Sequence, residues 1–174
     1  VTRADGASSY EKVSQTYSGT GATSTMRSKY ALKGAQFSLY TDAAMTQKAA
    51  QAESDANGRI TFTGLKEGSY YLKETQAPAG YAANEKKFHI TITPEFREDG
   101  VMSRYTVTTK EIRADGSETE AGSAIYTSVP EIQKDQSVTN TVTRTETPAE
   151  ILNVPLAELP SAGGAGTLGF VLAA

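Results

Sequence analysis

Apolar and polar residues alternate with a period of two through most of the chain, the signature of β-strands with one buried face. Ala35, Phe37 and Leu39 alternate with Gln36 and Ser38 after Gly34, which predicts a half-buried strand. Asp55-Ala56-Asn57-Gly58 is a turn signal, and Ile60 and Phe62 predict a strand over Arg59 to Thr63. Lys66-Glu67-Gly68-Ser69 forms the next turn; Tyr70, Leu72 and Glu74 then share one face while Lys73 and Thr75 occupy the other. Ala77-Pro78-Ala79-Gly80 ends that strand, because proline removes a ladder donor and glycine tolerates a positive φ. Phe88, Ile90 and Ile92 give another inward face, expected to stop near Pro94. Arg104 to Ile112, with Tyr105, Val107 and Thr109, and Ser137 to Arg144, with Val138 and Val142, add strands rich in β-branched residues. Only Ala43 to Ala52 is expected to interrupt this texture, as a helix or a polar loop, and the Ser/Thr/Gly-rich stretch Ser14 to Ser28 reads as a flexible loop. Arg-Ala-Asp-Gly recurs at Arg3 to Gly6 and Arg113 to Gly116 with unmatched flanks, giving two hairpin turns rather than a repeat. Short strands separated by turn residues predict an all-β fold, a sandwich or barrel of antiparallel sheets.

Glu74 is the anomaly in this pattern. If Tyr70 and Leu72 point into a core, Glu74 points there too, and a buried carboxylate persists only if it is paired, hydrogen-bonded or neutral. Composition narrows what can meet it. The chain has 174 residues, 38% of them hydrophobic, enough to bury a real core. It has no cysteine, which excludes disulfides, thiolate metal sites and a Cys nucleophile. The single histidine, His89, lies on the opposite strand face from Phe88 and Ile90 and reads as solvent-facing, with no triad or ligand set nearby. Net charge is −3 and is spread along the chain, so no basic patch invites nucleic acid. Val1 reads as an interior residue of a longer chain. The apolar run Thr167 to Ala174 reads as a membrane segment cut short, since eight residues fall well below the ~20 needed to span a bilayer.

Four motifs occur in order: Gly34-Ala35-Gln36-Phe37-Ser38-Leu39-Tyr40, Asp55-Ala56-Asn57-Gly58, Gly68-Ser69-Tyr70-Tyr71-Leu72-Lys73-Glu74-Thr75 and Ala77-Pro78-Ala79-Gly80-Tyr81. Together they resemble the CnaB-type, SpaA-like domains of Gram-positive pilins and surface adhesins, over about residues 10 to 155. The resemblance implies a transthyretin-like or immunoglobulin-like β-sandwich over 1–155, with a long insert at about 94–147, followed by a flexible tail at 156–174. It also makes Glu74 the family's E-box acid, which in many members assists an isopeptide bond between a first-strand lysine and a last-strand asparagine. Asn153, in Ile151-Leu152-Asn153-Val154-Pro155, resembles the acceptor. Lys12, in Glu11-Lys12-Val13-Ser14, resembles the donor; Lys29 and Lys33 are alternatives, and Arg3 is a rival candidate for the first-strand register, where it would preclude the bond.

The implied chemistry needs an uncharged amine to attack the Asn153 side-chain carbonyl while the Glu74 carboxyl hydrogen-bonds the oxygen and passes a proton to departing ammonia. It runs once per molecule, so neither a turnover enzyme nor a cofactor or metal is expected, and its product would tie the first strand to the last in place of a disulfide. Leu159-Pro160-Ser161-Ala162-Gly163 resembles the LPxTG signal cut by sortases, with Ala162 where threonine stands in that signal. The expected partners are therefore a sortase and other pilin subunits or peptidoglycan, and the expected location is the cell wall or pilus of a secreted protein. The alternative is an adhesive module for a host matrix protein or glycan, with Glu74 only structural and Tyr105 and Tyr126 of the insert as contact residues.

Overall fold

A computed structural model describes residues 2–3, 10–18, 21–28 and 30–156, with side chains described for 30–128, 133–137 and 142–156. Among the described residues eleven strands follow one another: β1 (Thr2–Arg3), β2 (Tyr10–Ser18), β3 (Gly21–Ser28), β4 (Gln36–Tyr40), β5 (Lys48–Glu53), β6 (Gly68–Gln76), β7 (Lys87–Phe96), β8 (Met102–Ile112), β9 (Glu118–Ile132), β10 (Val138–Thr147) and β11 (Leu152–Asn153). The fold is all-β, as expected, and the described residues contain no helix. Seven strands form one antiparallel sheet in the order β10-β9-β8-β7-β6-β4-β5, while β2 pairs with β3 and β1 with β11 in two-stranded ladders.

The alternation read from the sequence sets which side of the large sheet is buried. Phe37 and Leu39 of β4 stand beside Glu74 and Leu72 of β6, and Leu72 in turn stands beside Phe88 of β7. Ala35, Phe37, Leu39, Tyr70, Leu72, Phe88 and Ile151 make the buried cluster. The covering layer on this face includes extended chain: Ile60, Phe62 and Leu65 pack against the cluster without belonging to any strand. The expected strand Arg59 to Thr63 is therefore corrected. Its inward residues were right, but its N-terminal end is tied to Asp55, whose backbone N–H donates to the Arg59 carbonyl (2.9 Å) and whose Oδ1 accepts from the Arg59 N–H (3.0 Å).

Three further expectations are corrected. Ala43 to Ala52 is no helix. Asp42 Oδ1 accepts the backbone N–H groups of Thr46 (3.0 Å) and Gln47 (2.8 Å), which closes a turn, and β5 then pairs with β4. Ala50 and Ala52 lie opposite Leu39 and Phe37, where small side chains leave room for large ones. Ser14 to Ser28 is mostly strand, in β2 and β3, because its threonines and tyrosine favour the extended backbone despite its glycines and serines. Finally, Pro94 does not stop β7. The neighbouring strand β6 runs out at Gly68, opposite Ile92, so beyond that point β7 has β8 alone as a partner and a missing N–H costs no ladder bond.

The stretch 94–147, set aside as an insert, is continuous with the same sheet through β8, β9 and β10. Its three hairpin turns share one design. Arg97, Arg113 and Gln133 each donate a backbone N–H to the carbonyl four residues on, and accept one from the residue three on. The turn at Arg113 to Gly116 is the hairpin expected from its sequence; its counterpart at Arg3 to Gly6 lies mostly outside the described residues. Asp115 and Asp135 each accept the hydroxyl and N–H of the serine two residues on, which holds both carboxyls below the usual carboxylate range. That support is present at neutral pH and is lost as acid protonates the carboxyls. The left-handed position is glycine in two turns, Gly100 (φ 78°) and Gly116 (φ 83°), but Gln136 (φ 66°) in the third. Gln136→Gly is therefore expected to stabilise the fold by about 0.5–1 kcal/mol. A lowered urea midpoint would show that the Gln136 side chain contributes more than its backbone strain costs.

Gly122 of β9 is needed for a different reason. A Cβ there would lie 2.5 Å from the Ala149 nitrogen and 2.8 Å from the Thr147 oxygen, both backbone atoms. The chain leaving β10 crosses the sheet at this point on its way to β11. Gly122→Ala is expected to cost about 1–3 kcal/mol by forcing those backbones apart, read as a drop in thermal midpoint; an unchanged midpoint would mean that the crossing is not close in solution.

Candidate functional site

β6 carries Glu74 into the buried face, with only 8% of its surface exposed. β11 brings Asn153 to it, and Asn153 is 0% exposed. Asn153 Nδ2 donates to Glu74 Oε1 (3.0 Å), Glu74 Oε2 (2.9 Å) and the Ala82 carbonyl (3.0 Å). Three acceptors around one atom require that atom to be the nitrogen, which fixes the amide orientation. Oδ1 then points elsewhere; it is buried and has no hydrogen-bond partner among the described residues. A buried amide oxygen without a donor is costly, so this atom is where a further donor belongs.

The chain around β11 explains how so short a strand is held. On one side, the Ala82 N–H donates to the Val154 carbonyl (2.9 Å), the Leu156 N–H to the Gly80 carbonyl (2.9 Å), and Tyr81 bridges Pro155. Gly80 (φ 85°) allows the reversal after Pro78 that brings this segment alongside, as expected from Ala77-Pro78-Ala79-Gly80. On the other side lies β1, parallel, with Thr2 opposite Leu152 and Arg3 opposite Asn153.

Asn84 completes the site and was not foreseen. Its backbone N–H donates a very short hydrogen bond to Glu74 Oε2, its side-chain Nδ2 donates to the Leu152 carbonyl (2.8 Å), and its Oδ1 accepts the Lys86 N–H (2.8 Å). One residue thus links the acid to the strand that carries the amide. The Asn84-Glu85-Lys86 run gave no periodicity, and an Asx turn was its only sequence signal. Asn84→Ala is expected to cost about 1 kcal/mol, the net value of the side-chain bonds, while keeping the main-chain bond to Glu74. A loss above about 3 kcal/mol in urea unfolding would mean that the Asn84 amide carries the acid's position too.

The other expected site residues are placed as follows. The backbone of Lys12 lies in β2 opposite Met26, in a ladder separate from that of Asn153. Lys33 is exposed, Lys29 lies outside the described residues, and so do Leu159, Pro160, Ser161, Ala162 and Gly163. Tyr105 and Tyr126 stand opposite each other on β8 and β9 with rings stacked at 4.5 Å. Burial pushes the Tyr105 phenol up from its ordinary pKa, with the neighbouring Tyr126 adding to the effect. Both line a groove of about 1180 Å³ on the inner side of the sheet, floored by Ile92 and Val107. The Arg59–Glu146 ion pair (2.9 Å) stands at this groove. His89 lies on the outer face of the sheet, opposite to Phe88 as expected, but it is partly covered there rather than fully solvated. It is half-buried, stacked on Tyr71 (4.8 Å, 6° between planes) and bonded to Glu118 and Ser69. Among the described residues no three His, Asp or Glu side chains converge as a metal site.

The all-β fold thus holds a buried acid–amide pair between β6 and β11, the last strand among the described residues. Residues 24–111, half of the chain, match the family described as SpaA, prealbumin-like fold domain, and the chain belongs to that family. Among solved structures, the chain is similar to BcpA, the major pilin subunit of Bacillus cereus, at 16% identity and a TM-score of 0.31. That likeness covers 74% of this chain and 66% of the pilin chain, just under two thirds of its length. No curated protein matched the chain.

Proposed function

We propose that the chain is a structural module of a cell-wall-anchored pilus or surface adhesin of a Gram-positive bacterium, with Glu74 and Asn153 as the acid and acceptor of a self-formed Lys–Asn isopeptide bond. The observation that carries this reading is the buried Glu74–Asn153 contact, with no donor to Asn153 Oδ1 among the described residues. The acid already touches the nitrogen that would leave as ammonia, and the carbonyl oxygen is buried with no donor from the described residues. Lys12 is the amine expected from the sequence. Leu159, Pro160, Ser161, Ala162 and Gly163 would serve as the sortase signal that joins the module to other subunits or to peptidoglycan at the cell surface.

A second reading rests on the register of β1, which sets Arg3 opposite Asn153. A guanidinium keeps its proton and is a poor nucleophile, but it presents five donors in a fork. In that reading the acid–amide pair is a non-covalent clamp, Glu74 is structural, and the groove beside Tyr105 and Tyr126 is an adhesive surface for a host matrix protein or glycan. The intact mass under denaturing conditions separates the two. A deficit of one ammonia, lost in Glu74→Ala, supports the covalent reading, and peptide mapping then identifies the lysine. A mass equal to that of the unmodified sequence overturns it in favour of the clamp.

A further inference from the structure

Three side chains on the outer face of the sheet, away from Glu74, form a second constellation. His89 Nδ1 lies 2.7 Å from Glu118 Oε1, and His89 Nε2 lies 3.2 Å from Ser69 Oγ. A carboxylate only accepts, so Nδ1 carries the proton and donates it to Glu118; in the neutral imidazole Nε2 then accepts from the Ser69 hydroxyl. Tyr71 stacked on the ring and Glu118 on Nδ1 fix the imidazole, which aims Nε2 at Oγ. Lys110 Nζ stands 3.8 Å from Glu118 Oε2 and is a nearby cation. The histidine and glutamate side chains are 19% and 32% exposed, whereas Ser69, at the start of β6, is open to solvent. A nucleophile within reach of a base that is itself oriented by an acid is recognised by geometry and roles rather than by sequence order.

We propose that Ser69 is a base-activated hydroxyl, a site at which the chain accepts an acyl group from an activated ester. Ser69 Oγ forms a bond to the acyl carbon as the bond from that carbon to the leaving oxygen breaks. The Ser69 proton passes to His89 Nε2, the resulting imidazolium is held by Glu118, and the proton then goes to the departing oxygen. The site lies on an open sheet face, which suits a single covalent modification.

The same face supplies its own controls. In register with Ser69 across four further strands stand Thr91, Thr108, Ser123 and Thr147, a row of hydroxyls in which Ser69 alone is bonded to His89. The probe is an alkyl fluorophosphonate, which replaces its fluoride with a serine oxygen, followed by peptide mapping of the folded protein. General-base assistance predicts that Ser69 is labelled about 100-fold faster than Ser123. Ser69→Ala and His89→Gln should abolish the fast labelling. Glu118 acts through His89 as a positioning residue, so Glu118→Gln should slow labelling about tenfold and shift its pH profile. Labelling of Ser69 no faster than Ser123, or an unchanged rate in His89→Gln, overturns the proposal. The first comparison is made within one folded molecule and does not depend on any variant folding.

Discussion

Asn153→Asp is expected to destabilise the domain by about 3–5 kcal/mol at neutral pH, the range for leaving a buried charge uncompensated. The substitution changes shape hardly at all, so the effect isolates chemistry. Nδ2 now donates into Glu74 Oε1, Glu74 Oε2 and the Ala82 carbonyl. An oxygen in its place turns three hydrogen bonds into three contacts between acceptors and sets two carboxylates side by side where Asn153 has no exposed surface. Acid should relieve much of the loss, because one shared proton converts the repulsion into a hydrogen bond. Urea unfolding at pH 7 and pH 4 measures both parts. An unchanged midpoint at pH 7 would place a cation against position 153, strong enough to neutralise the new charge.

Phe37→Ala should cost a similar amount, about 3–5 kcal/mol, by a different route. Phe37 is fully buried on β4, with Ala52 of β5 on one side and Glu74 of β6 on the other. Its ring is fully enclosed within the buried cluster. The loss should therefore include both the transfer of the ring to water and a residual cavity. Because Phe37 stands opposite Glu74, the same change loosens the wall behind the acid. Gln36→Ala, on the outward side of the same strand, is the control and should shift the urea midpoint little. A loss below about 1 kcal/mol for Phe37→Ala would mean that the core has collapsed around the gap.

Much of the core-facing side of this fold was legible because alternation along a strand is a local property. Phe37, Leu72 and Phe88 revealed their orientation within a few residues, and Glu74 stood out because it fell in the same phase. Asn153 was legible from its apolar neighbours and from the resemblance. What was not legible depended on partners far along the chain. Ile60 and Phe62 alternate as a strand does, yet whether they join a ladder is decided by which backbone lies beside them. Ala50 and Ala52 suit a helix by composition, and it is the bulk of Leu39 and Phe37 opposite that makes them a strand. Glu118 is 29 residues from His89, and a bulge between Thr109 and Lys110 shifts the register of the strands that bring them together. No window on the sequence contains that pair. Gly122 likewise resembled any strand glycine until the chain at Ala149 crossed it.

The parallel sense of β1 against β11 determines how the domain meets tension. In an antiparallel pair pulled at its open end, hydrogen bonds fail one after another, as a zip opens. Here the chain enters along β1 and leaves along β11 in the same direction, so a pull on the two ends drives Thr2–Arg3 and Leu152–Asn153 past each other in shear. The ladder bonds are then strained together rather than in turn. Asn153, anchored to Glu74 and Ala82 beside that ladder, must be dragged along the strand axis through its own hydrogen bonds before the ends can separate.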